Sequence, residues 1–222
     1  MAEVSVDVCF FDFDGTLGDT FNGICSTWKK VIADAGVSCP DFDKIFRVGP
    51  PAEMMAELLF PEMSMECRAE LAKKYKATYD NSEFFGEVPY PWSREILDFC
   101  RDSGRKLYVV TYKRYKSTLK LIERYGFSEY FSGVFCTDVF PGQFISKIEL
   151  LKLAVRVSGV PAERAVMIGD TEMDILAGHE AGTRTLAVSW GYASKEILAK
   201  ASPEFTVADK AEFINVFRQK FC

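Results

Sequence analysis

Residues 6–16 read VDVCFFDFDGT, an apolar run that stops abruptly at two aspartates, a glycine and a threonine. From Val6 to Phe13 the run is short and closed by turn residues, the pattern of a strand buried on both faces. Side chains two apart on a strand point the same way, so Asp12 and Asp14 are expected to leave its carboxyl end together. Burying two acids side by side is costly unless a cation or a positive side chain lies beside them, so the pair itself calls for one. Gly15 and Thr16 then let the chain turn sharply.

Working outward, similar short runs recur at Lys106–Thr111, Gly133–Cys136, Ala165–Gly169 and Thr185–Val188, with a weaker sixth at Glu204–Val207. Helical periodicity fills the intervals at Trp92–Ser103, Tyr115–Tyr125, Lys147–Ser158, Thr171–Ala181, Lys195–Ala201 and Lys210–Lys220. Strands alternating with helices predict a doubly wound, Rossmann-like α/β fold with a parallel sheet covered on both faces. Thr20–Ala35, Pro51–Phe60 and Met65–Tyr79 break the rhythm, because they are three helical patterns with no strand between them. They predict a small helical domain at residues 18–87, inserted into a core of residues 1–17 and 88–222. Gly15 and Gly18 mark one connection, and Gly86, Pro89 and Pro91 the other.

Composition narrows the partners. Lys and Arg total 27 against 32 for Asp and Glu, giving a net charge of −5 and no basic run to track a nucleic-acid backbone. No apolar stretch is long enough to span a bilayer, and the opening residues lack the basic-then-apolar pattern of a signal peptide. Seven cysteines, an odd number without a C-x-x-C pair, suit reduced thiols. The expectation is a cytoplasmic protein that binds neither nucleic acid nor membrane. The single histidine, His179, falls inside a predicted helix, which leaves no histidine-rich metal cluster or Ser-His-Asp arrangement to build.

In open α/β sheets, ligands bind beyond the carboxyl ends of the strands. There the second long strand delivers Thr111, the fourth delivers Asp170 with Asp174 one helical turn later, and Lys147 opens the helix after the third. Each residue alone has an ordinary use: an aspartate after a strand caps a helix, a first-turn acid suits the helix dipole, and a helix lysine is commonly solvated. Their shared position at one sheet edge is what points to a site.

Four segments, FDFDGT at 11–16, VVT at 109–111, SK at 146–147 and GDTEMD at 169–174, resemble in order the motifs of the haloacid dehalogenase superfamily of phosphohydrolases. DTEMDILAGHEAGTRTLAVSWGY at 170–192 is similar to its phosphoglycolate-phosphatase-like members, and the helical insertion resembles their type-1 cap. The resemblance implies that Asp12 is the nucleophile and that Asp14 protonates the leaving oxygen, then activates water. It further implies Mg²⁺ held by Asp12, Asp170 and the backbone carbonyl of Asp14. Lys147 would offset the charge of Asp12 and of the transferring phosphoryl group, and Thr111 would bond a phosphate oxygen. Backbone N–H groups near Gly15, Thr16 and Tyr112 would add to that cradle, and Asp174 would orient Lys147 or a metal-bound water. Arg47, in RVGPP at 47–51, is the candidate for a second anionic group on the substrate.

The implied partner is a small phosphorylated metabolite: phosphoglycolate-like, a sugar phosphate or a nucleoside monophosphate. Tyr112 stands where such enzymes often carry Asn, and Ile148 where Pro is common, departures that bear on the substrate more than on the reaction. A phosphotransferase of the β-phosphoglucomutase type and a non-catalytic binding module are the competing classes. The dehalogenase branch lacks the second aspartate, so Asp14 argues against it.

Overall fold

The structure, a computed structural model, describes residues 5–84, 86–138 and 145–221. All four side chains of β1 (Val8–Phe11) are buried. Two short strands, β2 (Gly18–Asp19) and β3 (Val88–Pro89), pair into a two-stranded ribbon. The alternation then runs α5 (Ser93–Asp102), β4 (Lys106–Thr111), α6 (Tyr115–Arg124), β5 (Phe131–Cys136), α7 (Lys147–Ser158), β6 (Ala165–Gly169), α8 (Glu172–Ala181), β7 (Arg184–Val188), α9 (Lys195–Ala201), β8 (Phe205–Val207) and α10 (Lys210–Lys220).

Six strands form one sheet in the order β5-β4-β1-β6-β7-β8, and each neighbouring pair runs parallel. The chain winds from β1 out through β4 to β5, then crosses back to lay β6 on the other side of β1. The fold is therefore doubly wound, and β1 sits at the switch point where the connections part. Val8 and Phe10 pack with Tyr108, Val110 and Met167 against Leu150, Leu151 and Ala154 of α7 and Ala177 of α8. On the opposite side, α5 packs on β4 and α10 on α5. Strands buried on both faces are why β1, β4 and β6 read as continuous apolar runs rather than alternating ones.

The chain divides into two compact units, one of Met1–Asp19 with Pro89–Cys222 and the other of Thr20–Val88. The second unit contains α1 (Phe21–Asp34), α2 (Phe42–Ile45), α3 (Ala52–Leu59) and α4 (Met65–Asp80). Within it, α4 packs on α1 and α3, and Trp28 stacks on Tyr75 with ring centroids 4.4 Å apart. The sequence pattern does not show α2, β2 and β3 because elements of two to four residues carry no period.

β1 is shorter than its apolar run. The Asp12 N–H still donates to the Ile168 carbonyl at 2.9 Å, but the Phe13 carbonyl accepts from the N–H groups of Leu17 and Gly18 at 2.9 and 3.1 Å. The backbone is thus engaged in a turn from Phe13 onward, and the strand alternation ends before it can govern Asp14.

A capping box starts α7: the Ser146 hydroxyl accepts from the Glu149 N–H at 3.2 Å, and the Glu149 carboxylate accepts from the Ser146 N–H at 3.0 Å. Gly159, in left-handed backbone, ends the helix. Replacing Ser146 with Ala should lower unfolding stability by about 1 kcal/mol. A chemical denaturation midpoint unchanged from that of the parent protein would contradict this.

Candidate active site

Register brings the site residues to one edge of the sheet. Phe11, the last residue of β1, lies opposite Val109 of β4 and Ile168 of β6, so the carboxyl ends of the three strands share one edge, with β6 running on to Gly169 and β4 to Thr111. Asp12 follows β1, Thr111 closes β4, Asp170 follows β6, and Lys147 is the first residue of α7.

The Lys147 Nζ lies 3.0 Å from Asp12 Oδ1 and is ion-paired with Asp174 Oδ1. Its backbone N–H donates to the Tyr112 hydroxyl at 2.9 Å, and the ammonium sits 5.6 Å from the centroid of the same ring. The other oxygen of Asp174, Oδ2, accepts from the N–H and the hydroxyl of Thr171 at 3.0 and 2.6 Å. One carboxylate therefore serves both the start of α8 and the lysine, so the helix-cap use and the site use of Asp174 coexist.

Asp170 is fully buried. Its Oδ1 accepts from the Thr16 hydroxyl at 3.0 Å and its Oδ2 from the Tyr192 N–H at 2.8 Å. The Trp190 indole donates to the Thr16 carbonyl at 3.2 Å, and the Tyr192 hydroxyl to Asp19 Oδ1 at 3.0 Å. Glycines make room for these acids. Gly15 has φ +81°, and a Cβ there would lie 2.2 Å from Asp170 Oδ2; one on Gly169 would lie 2.1 Å from Asp174 Cγ.

Carboxylate oxygens of Asp12, Asp170 and Asp174 lie within 4.8 Å of one another, a spacing that could hold a metal ion. Burial raises the Asp12 carboxyl to about 7 from an ordinary 3.8, with Asp174 and Asp14 adding to the rise and Lys147 opposing it. Burial also pushes Asp170 well above the usual carboxylate range, reinforced by Asp12 and Asp174. For Lys147, burial pulls downward, but the two carboxylates outweigh it and hold the ammonium above its ordinary range.

Asp14 does not join this cluster. Its carboxylate oxygens meet the Lys113 Nζ at 3.0 and 3.3 Å, so the two acids expected to emerge together each have their own lysine. The early end of β1 is the physical reason. The Thr111 hydroxyl is buried and accepts from the Lys113 N–H at 3.2 Å. The Gly15 N–H donates to the Gly18 carbonyl at 2.9 Å. Arg47 is an exposed residue of the helical unit.

The sequence pattern does not single out Lys113, and it gives Trp190 and Tyr192 no contact with the acids. Lys113 carries a signal, a lysine two residues past the strand-end Thr111, but the apolar run ends before it. Tyr192 carries none, because its link to Asp170 runs through a backbone N–H, which every residue but proline has.

Residues 9–188 match the family described as haloacid dehalogenase-like hydrolase. A phosphoglycolate phosphatase of Agrobacterium fabrum is 30% identical over 209 residues, 92% of this chain and 89% of the relative. The tyrosine-protein kinase PtkA of Mycobacterium tuberculosis is 30% identical over 222 residues, 97% of this chain and 72% of that protein. Among solved structures, a predicted phosphatase from Clostridium acetobutylicum shares the fold with a TM-score of 0.86 at 22% identity, covering 97% of this chain and 99% of that one.

The raised Asp12 carboxyl makes stability depend on pH. In the ion-free protein folding takes up a proton between 3.8 and about 7, so the associated stability is full below that window and is lost as pH rises through it. Asp12→Asn removes the group that must ionise. The variant should therefore be more stable than the parent at about pH 8 in chelator, and the advantage should shrink by about pH 5. Denaturation midpoints that showed the same difference at both pH values would refute the assignment.

Proposed function

This chain belongs to the haloacid dehalogenase-like hydrolase family, and on that premise we propose that it is a Mg²⁺-dependent phosphatase that passes the phosphoryl group of a small metabolite through Asp12. One observation carries the reading: the carboxylates of Asp12, Asp170 and Asp174 gather within 4.8 Å of one another, and Lys147 pairs with two of them. With all three ionised, one ammonium leaves two negative charges buried, the complement of a single divalent cation. Asp174, one oxygen on Thr171 and the other paired with Lys147, holds the lysine; by the family resemblance, Asp12 and Asp170 with the backbone carbonyl of Asp14 are the groups that would hold Mg²⁺. When bound, Mg²⁺ supplies positive charge to the nucleophile and the transferring phosphoryl group, and its preference for oxygen ligands suits this donor set.

In this reading an Asp12 oxygen bonds to phosphorus as the bond to the leaving oxygen breaks, and Asp14 supplies the proton that oxygen takes up. Water then attacks the aspartyl-phosphate, gives a proton back to Asp14 and releases inorganic phosphate, restoring both acids. Lys147 counters charge on the phosphoryl oxygens, Thr111 donates its hydroxyl to one of them, and Asp174 holds Lys147 in position. The helical unit Thr20–Val88 serves as the cap. Arg47 within it is the candidate for a second anionic group, as in phosphoglycolate, a sugar phosphate or a nucleoside monophosphate. No helix among the described residues is long and apolar enough to cross a membrane, and six described cysteines are unpaired, which supports a cytoplasmic setting.

The purified protein with Mg²⁺ is expected to release inorganic phosphate from at least one member of a panel of phosphoglycolate, sugar phosphates and nucleoside monophosphates. Asp12→Asn, nearly isosteric, should lower turnover by roughly 10⁴-fold or more while the fold survives. An inert parent across the panel, or an active variant, would end the proposal. Phosphate that moved to another hydroxyl instead of into solution would identify a phosphotransferase. Chelation should silence the enzyme and Ca²⁺ should fail to restore it, because Ca²⁺ takes more oxygen ligands at longer distances; full activity in Ca²⁺ would refute the metal assignment.

A further inference from the structure

Lys113 is the second buried lysine at this edge of the sheet, its side chain 3% exposed, and it serves a different acid from Lys147. Lysine is almost never this buried without a partner, and Asp14 is one, met through both carboxylate oxygens at 3.0 and 3.3 Å. The backbone of Lys113 is fixed in turn by the bond from its N–H to the Thr111 hydroxyl, directly where β4 ends beside β1. Asp14 has its own anchor, a bridge to Gly18. With the backbone anchored on both sides, the Lys113 ammonium holds the Asp14 side chain by both of its oxygens.

From this geometry we infer that Lys113 is the positioning residue that holds the Asp14 carboxyl for proton transfer to the leaving oxygen. The inference rests on the role given to Asp14 above. Contact with both oxygens is what makes the hold useful: one oxygen can carry the proton while the other stays on the ammonium. When the bond between phosphorus and the leaving oxygen breaks, the proton passes from Asp14 to that oxygen, and Asp14 remains as a carboxylate already paired. A merely structural ion pair would make no distinction between substrates. A pair that positions the acid must, because a good leaving group departs without a proton and a poor one does not.

The test compares kcat/KM, which reports the steps up to the aspartyl-phosphate, for p-nitrophenyl phosphate and for the alkyl phosphate turned over fastest in the panel. Lys113→Met should reduce the alkyl value by about 10²-fold or more and the p-nitrophenyl value by less than about tenfold. The ratio of the two is taken on one preparation, so a partly unfolded sample leaves it unchanged. Should Lys113→Met not fold, Lys113→Gln, which retains a donor without the charge, carries the same comparison. Asp14→Asn run alongside should show the same leaving-group dependence. Equal losses on both substrates in the Lys113 variant, with a dependence present in Asp14→Asn, would overturn the inference and leave the phosphatase reading standing. Equal losses in Asp14→Asn itself would remove the acid role and the inference with it.

Discussion

The ammonium of Lys147 between Asp12 and Asp174 is the contact around which the core is arranged. Three carboxylates buried at one edge of a sheet are strongly unfavourable unless something positive is held among them, and a long flexible lysine must itself be held to do it. Ser146 and Glu149 start its helix, the Tyr112 hydroxyl takes its N–H, and Leu150, Leu151 and Ala154 seat the helix on the sheet. Helix start, loop contact and core packing thus converge on the position of one nitrogen.

The charge remains incompletely balanced, and that imbalance links stability to chemistry. Burial lifts the Asp12 and Asp170 carboxyls above their ordinary range even with Lys147 in place. A site selected for stability alone would not keep acids there. In the proposed reaction the same strain becomes affinity for a divalent cation and for a nucleophile that must remain ionised, the familiar opposition between a stable site and an active one.

Two lysines divide the work at this edge. Lys147 lies with Asp12 and Asp174, whereas Lys113 takes Asp14 on the adjoining loop. The acids are two residues apart in sequence, yet the turn that begins at Phe13 sends them to separate cations. Separate surroundings are what two acids need if one is to attack and the other to carry a proton.

Much of this was legible in the chain itself. Apolar runs closed by turn residues gave the strands of the sheet, helical periods gave the alternation and three of the four helices of Thr20–Val88, and the polar residues at strand ends marked Asp12, Thr111 and Asp170, because each signal is local in sequence. The contacts that complete the site are not local. Lys113 meets Asp14 across 99 residues, Tyr112 meets Lys147 across 35, and Thr16 meets Asp170 across 154. Those pairings follow from which strands lie side by side and where each one ends, so strand order and register, set only when the whole sheet closes, decided them.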